Sequence, residues 1–191
     1  MGLMTGINVV ALGCFVSFAW GTKGHFVSDG RMPAGMLVVA VLSLFGWAWF
    51  AVRTATSGIG PGAPYALALM AGATCLFWWA VKTTRKRRLK IAFAQDQPQA
   101  VYKTGPYRFV RHPFYLSYIL YWSGTGLATK GLWGWTVPAI LGAIYVGLAL
   151  QEERRFGASG LSDAYCQYSR DTGMLIPWPR LFRRKGFSRH A

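Results

Sequence analysis

Charge is scarce in this chain, and acid scarcer still. Only 14% of its 191 residues are charged, where a soluble domain usually carries about a quarter. Six are Asp or Glu, against 21 Lys and Arg. The three cysteines, Cys14, Cys75 and Cys166, form no CxxC pair and no Cys/His spacing. That excludes a zinc ribbon and a disulfide framework, and no metal site is expected. No basic residue precedes Lys23. The first apolar run therefore lacks the basic n-region of a signal peptide, no small-x-small cleavage site is obvious, and the run reads as a retained span. No nucleic-acid fold pattern accompanies the net charge of +15, which excludes nucleic acid as the expected partner.

What the chain has instead is long apolar runs. Five are candidate membrane spans: Met1 to Thr22, Met32 to Val52, about Pro64 to Val81, Pro113 to Thr129 and Gly131 to Gln151. A span needs about 20 apolar residues at 1.5 Å rise each. The fourth falls short and contains Gly124 and Gly126, so the last two are expected to form a tight helical hairpin turning near Lys130. The fold class expected is all-α, a polytopic membrane protein of about five helices with a cytoplasmic C-terminal segment.

The basic residues divide by side. Two lie between the first and second runs, nine between the third and fourth, and eight after the fifth, which puts nineteen on one side. Arg53 and Lys130 fall on the other. The positive-inside rule then places the N-terminus outside and the C-terminus in the cytoplasm. The runs TRKRRLK (84–90) and RLFRRKGFSRH (180–190) are expected to rest on anionic lipid headgroups. The organisation expected is a three-span half (1–81), a half carrying the site (82–179) and a basic tail (180–191).

No ionisable residue interrupts the first three runs, so the usual pointer to an intramembrane site is missing. The search moves to the cytoplasmic surface. There KTGPYRFVRHPFY (103–115) opens on the turn signal Gly105-Pro106. Pro113 suits the first position of a helix and drives His112 out of helical conformation. A helix N-terminus beside Arg108, Arg111 and His112 is suited to an anion. Glu152 and Glu153 end the fifth run, where the helix dipole disfavours them. The hairpin returns them to the membrane face where the fourth run begins. Cations and carboxylates brought together suit a ligand with an anionic end and hydroxyls or a cation elsewhere. S-adenosylmethionine has these groups. Downstream, AYCQYSRDTGMLIPWP (164–179) could cover this place or lie along the headgroups, and Trp178 reads as an interfacial aromatic.

The combination GPYRFVRHPFYLSYIL, then EERRF, then YCQYSRDTGMLIP resembles the integral-membrane methyltransferases related to isoprenylcysteine carboxyl methyltransferase and the phospholipid N-methyltransferases. The resemblance covers about residues 104–179. It implies an S-adenosylmethionine-dependent enzyme methylating a lipophilic acceptor at the cytoplasmic face: a prenylcysteine-like carboxylate, a lipid amine or similar. It implies cofactor-binding roles for Tyr107, Arg111, His112, Pro113, Tyr115, Leu116, Glu152, Glu153 and Tyr165, and catalytic roles for Glu153, Tyr168 and Arg170. The prenylcysteine enzymes carry an arginine three residues beyond the second tyrosine. Here that position is Asp171, and Arg170 stands one earlier. Membrane sterol reductases share an RHP-Y motif, usually with Asn after His-Pro where this chain has Phe114. An NADPH-dependent lipid double-bond reductase is the second reading, and a non-enzymatic membrane scaffold the third.

Overall fold

The computed structural model describes residues 2–25, 34–85 and 100–177. Arg31, most of the 84–90 basic run, Trp178 and the basic tail lie outside the described residues. The described residues form six α-helices in order: α1 (Gly2–His25), α2 (Ala34–Ser57), α3 (Ala63–Thr84), α4 (Pro113–Ala128), α5 (Thr136–Gly157) and α6 (Ser162–Asp171). Short 3-10 turns, Gly105–Arg108 and Leu132–Trp135, lead into α4 and α5. Among the described residues the only extended pairings are two isolated bridges. The protein is an all-α polytopic membrane protein.

α1, α2, α3 and the stretch Leu132–Gly157 are each long and apolar enough to cross a bilayer. α4 has 16 residues. It therefore measures about 24 Å, less than the roughly 30 Å hydrocarbon core. The outer faces of α1 and α2 expose Leu3, Val9, Val16, Leu37, Val41 and Leu44. Such faces suit lipid rather than water.

The core lies where α3, α4 and α5 meet. Ala66, Met70, Ala73, Phe77 and Ala80 of α3 are fully buried, and so are Tyr121 of α4 and Leu141 of α5. Small residues on α3 let α4 approach closely, the usual device where lipid offers no hydrophobic gain. Aromatic edges fill the seam, with Phe77 against Phe114 at 5.4 Å and Phe18 against Tyr121 at 5.6 Å. The Tyr121 hydroxyl donates to the Ala11 carbonyl at 3.0 Å, tying α4 to α1.

The chain runs alternately up and down, so the C-terminal ends of α3 and α5 meet the N-terminal end of α4. Gly105 begins the approach to α4 with φ +58°, a left-handed conformation that favours glycine, and packs against Thr83 of α3. The hairpin of α4 and α5 turns at 129–131, as the sequence suggests. α5 does not stop at Gln151, however. It runs to Gly157, carrying Glu152 and Glu153 inside the helix, with Arg154 and Arg155 in its last turn. Those two cations complement the dipole that the glutamates oppose.

Candidate functional site

Pro113 occupies the first turn of α4 and is fully buried. His112 is the residue before the helix, with φ −124° and ψ +66°. The proline forces that non-helical backbone, and it turns the imidazole away from the helix axis toward α5. The His112 carbonyl still accepts the first helical hydrogen bond, from Leu116 N–H at 3.0 Å. Leu116 itself is half-buried. Among the described residues no side chain caps α4.

His112 sits between the two glutamates. Its Nε2 lies 3.1 Å from Glu153 Oε1 and its Nδ1 3.4 Å from Glu152 Oε2. Tyr115, one turn into α4, donates its hydroxyl to Glu152 Oε1 at 2.7 Å. Arg111 donates to Glu153 Oε1 from Nε at 2.8 Å and from Nη2 at 2.7 Å. The imidazole is 6% exposed, while the glutamates keep 29% and 21% of their side-chain surface. Two acids, a guanidinium and an imidazole thus form one cluster whose carboxylates still reach solvent.

Burial works against a charge on His112. The carboxylates of Glu152 and Glu153 outweigh it and hold the imidazole's pKa above its ordinary value. The imidazolium form is the one this surrounding favours. Tyr107 lies buried beside the cluster, and burial first, then the nearby Glu152, pushes its phenol well up. It remains neutral.

α6 covers the cluster. Tyr165 and Tyr168, three apart on one helical face, are both buried. Tyr168 donates its hydroxyl to the Tyr107 carbonyl at 2.6 Å. Tyr165 stacks flat on Phe156 at 4.3 Å. Its hydroxyl is buried close enough to Arg111 and Glu153 to feel both, yet among the described residues it has no partner at hydrogen-bonding geometry. Burial, then Glu153, raises its pKa, so the orphaned group is a neutral O–H. A buried hydroxyl without a partner is rare enough to ask for one.

The segment after α6 returns to the start of α4. Val110 and Gly173 form a parallel bridge, and the N–H groups of Arg111 and His112 donate to the Gly173 and Met174 carbonyls at 2.9 and 3.1 Å. Of the two courses open to residues 164–179, the described part takes the one that covers the cluster. Arg108 and Arg170 are exposed, and among the described residues no hydrogen bond or ion pair joins either to it. The guanidinium that meets the acids belongs to Arg111. The sequence reading did not single out Phe156 as the ring beneath Tyr165. Its spacing from Glu152 and Glu153, on successive turns of one helix, was the available signal.

The residues present fit S-adenosylmethionine by the chemistry of the donor set. Partly exposed carboxylates suit an ammonium or ribose hydroxyls, and the orphaned Tyr165 hydroxyl suits a polar acceptor or donor.

Residues 63–161 match the family described as PEMT, phospholipid methyltransferase. That stretch takes in α3, α4, α5 and both glutamates, and ends just before α6. A methanethiol S-methyltransferase of Mycobacterium tuberculosis is 32% identical over 160 residues, covering 84% of this chain and 57% of that protein. Methanethiol S-methyltransferase 1 of Bradyrhizobium diazoefficiens is 40% identical over 75 residues, covering 39% of this chain and 25% of that protein. The chain thus spans little more than half the length of the one relative and matches a quarter of the other.

Proposed function

Because the chain belongs to the phospholipid methyltransferase family of integral-membrane methyltransferases, we propose that it transfers the methyl group of S-adenosylmethionine to a small thiol at the cytoplasmic membrane face. The observation that carries the reading is the cluster itself: His112 lodged between Glu152 and Glu153, beside an orphaned Tyr165 hydroxyl. The thiol acceptor is supported by the two relatives, both methanethiol S-methyltransferases. The cytoplasmic side is supported by nineteen basic residues on the side that holds the cluster. In this reading residues 82–179 hold the cofactor and residues 1–81 shape the acceptor's approach.

S-adenosylmethionine, when bound, supplies a sulfonium whose methyl carbon is open to nucleophilic attack and whose sulfur leaves as a neutral thioether. The chain's task is mainly to position the reactants. Glu152 and Glu153 would hold the ammonium or the ribose hydroxyls, and Tyr165 would bond the same ligand through its free hydroxyl. Tyr168 and Tyr107 hold α6 over the cluster and keep water away from one side. Glu152 and Glu153 raise the pKa of His112 and orient its imidazole, whose ring nitrogens both face the two carboxylates. A thiol is far more acidic than an alcohol: a cysteine thiol has an ordinary pKa of about 8.5 and a simple alkanethiol a higher one, so a small fraction is thiolate at neutral pH without a strong base. The proton thus leaves to solvent before attack. A lipid amine would have to arrive deprotonated, and an alcohol would need a strong base to take its proton.

The reading is tested on protein purified in mild detergent. S-adenosylhomocysteine should raise the melting temperature and NADPH should not. Methyl-labelled S-adenosylmethionine should then label a small alkanethiol in preference to phosphatidylethanolamine. Label entering only the lipid would overturn the acceptor, and stabilisation by NADPH alone would overturn the methyltransfer reading in favour of the reductase.

A further inference from the structure

The sequence groups Arg111 with Arg108 and His112 as a place suited to an anion, yet the Arg111 guanidinium is already engaged. Nε and Nη2 are taken by Glu153, at 2.8 and 2.7 Å. Nη1 donates to two carbonyls on the far side, those of Ser169, at 3.1 Å, and Thr172. The side chain is 11% exposed. The main chain at the same point carries the other two links to this segment, from Arg111 N–H to Gly173 and from His112 N–H to Met174. Glu153 of α5 and four residues of the C-terminal segment, Ser169, Thr172, Gly173 and Met174, therefore converge on Arg111 and the main chain of His112.

We propose that Arg111 is a positioning residue rather than a cofactor ligand: it latches α6 and the strap 172–174 to Glu153, and so holds Tyr165 and Tyr168 over the site. A planar guanidinium can bridge a carboxylate on one edge and carbonyls on another, which a lysine ammonium does not reproduce. The family match ends at residue 161, so the latch joins the matched helices to a segment beyond that match. The role of the site rests on the reading above, but the latch itself can be measured without any cofactor.

The experiment is hydrogen exchange on the full chain in detergent, free of ligand, comparing the wild type with Arg111→Lys. The latch requires the amides of residues 111 and 112, and those of 165–174, to exchange about tenfold faster in the variant, because several hydrogen bonds to a charged group are lost together. Amides of α1 to α3 should be unchanged. In the methyltransfer assay KM for S-adenosylmethionine should rise about tenfold with kcat within about twofold, since the cofactor then pays for ordering the strap. A disulfide across the bridged pair, Val110→Cys with Gly173→Cys and with Cys75 and Cys166 replaced by serine, should restore KM in the Arg111→Lys background. Unchanged exchange in Arg111→Lys together with lost cofactor binding would overturn the latch, because it would make the guanidinium a direct ligand; failure of the cross-link to restore KM would do the same. If Arg111→Lys does not fold, Glu153→Gln reads the same amides, with about threefold faster exchange expected and no change counting against the proposal. Absence of methyl transfer in the wild type would end the functional reading and leave the exchange result standing.

Discussion

At one end of the bundle Val110 bridges to Gly173; at the other Ile59 bridges to Thr129. Both ends thus stitch a loop to a helix terminus by main-chain hydrogen bonds, which answers the need of every buried N–H and C=O for a partner. The side chains around the two stitches differ. Around Val110 stand two acids, an arginine and a histidine, joined with Tyr115 by hydrogen bonds between side chains, while Tyr168 bonds the Tyr107 carbonyl. Around Ile59 stand Arg53 and Lys130, with no acid among the described residues there. Arg53 donates to the Lys130 carbonyl at 3.4 Å, and Trp49 to the Trp133 carbonyl at 3.3 Å. Glycine makes that end fit: a Cβ on Gly62 would stand 2.6 Å from the Leu127 carbonyl oxygen, and one on Gly60 2.7 Å from that of Thr129. One end is closed by steric fit and the other by compensated charge. Burying charges of both signs together is costly and imposes geometry, so the second arrangement is the one that marks a site.

The largest test of this contrast removes the acids. Glu152→Gln with Glu153→Gln should leave the helical circular dichroism intact and abolish stabilisation by S-adenosylhomocysteine, which in the wild type is worth about 2.7 kcal/mol at a hundredfold excess over Kd. Retained stabilisation would remove the acids from the site. Next comes Gly62→Ala at the opposite end. Overpacking against a fixed carbonyl should cost about 1–3 kcal/mol of stability, read as a lower melting temperature, with ligand affinity unchanged. A loss of affinity instead would show that the two ends are coupled.

The pH dependence of stability should separate the ends more finely. His112 has its folded pKa raised above the ordinary 6.5. Its contribution is therefore complete below the unfolded value and is lost as pH climbs through the folded one. The melting temperature of the wild type should fall over that rise, and the His112→Gln protein should show a flatter profile. Identical profiles would mean that the imidazole is not held charged. Smallest of all, Lys130→Ala should change stability by no more than about 0.5 kcal/mol, as exposed substitutions do, and should leave methyl transfer alone.

Much of this was legible in the residues. Long apolar runs specify membrane helices because a chain in lipid must satisfy its own backbone. Pro113 specifies the start of α4 and the non-helical backbone of His112, since a proline ring excludes the helical conformation before it. The hairpin returns Glu152 and Glu153 to that start, because two antiparallel helices joined by a short turn must end together. Less was legible where partners are distant. Arg170 looked as suitable a cation as Arg111. Their one-dimensional settings, each beside an aromatic-rich stretch, do not distinguish them, and only the exposure of one and the engagement of the other do.

The sequence by itself therefore determined the helices, their alternation and the local geometry at His112-Pro113. These depend on neighbours along the chain, on period and on the missing N–H of proline. The tertiary structure alone decided that Arg111 turns to Glu153, 42 residues away, and to the carbonyls of residues 169 and 172, and that Tyr168 reaches the Tyr107 carbonyl. A guanidinium or a phenol can bond any acceptor within reach, and which acceptor is within reach is set by how α5 and α6 pack on the start of α4.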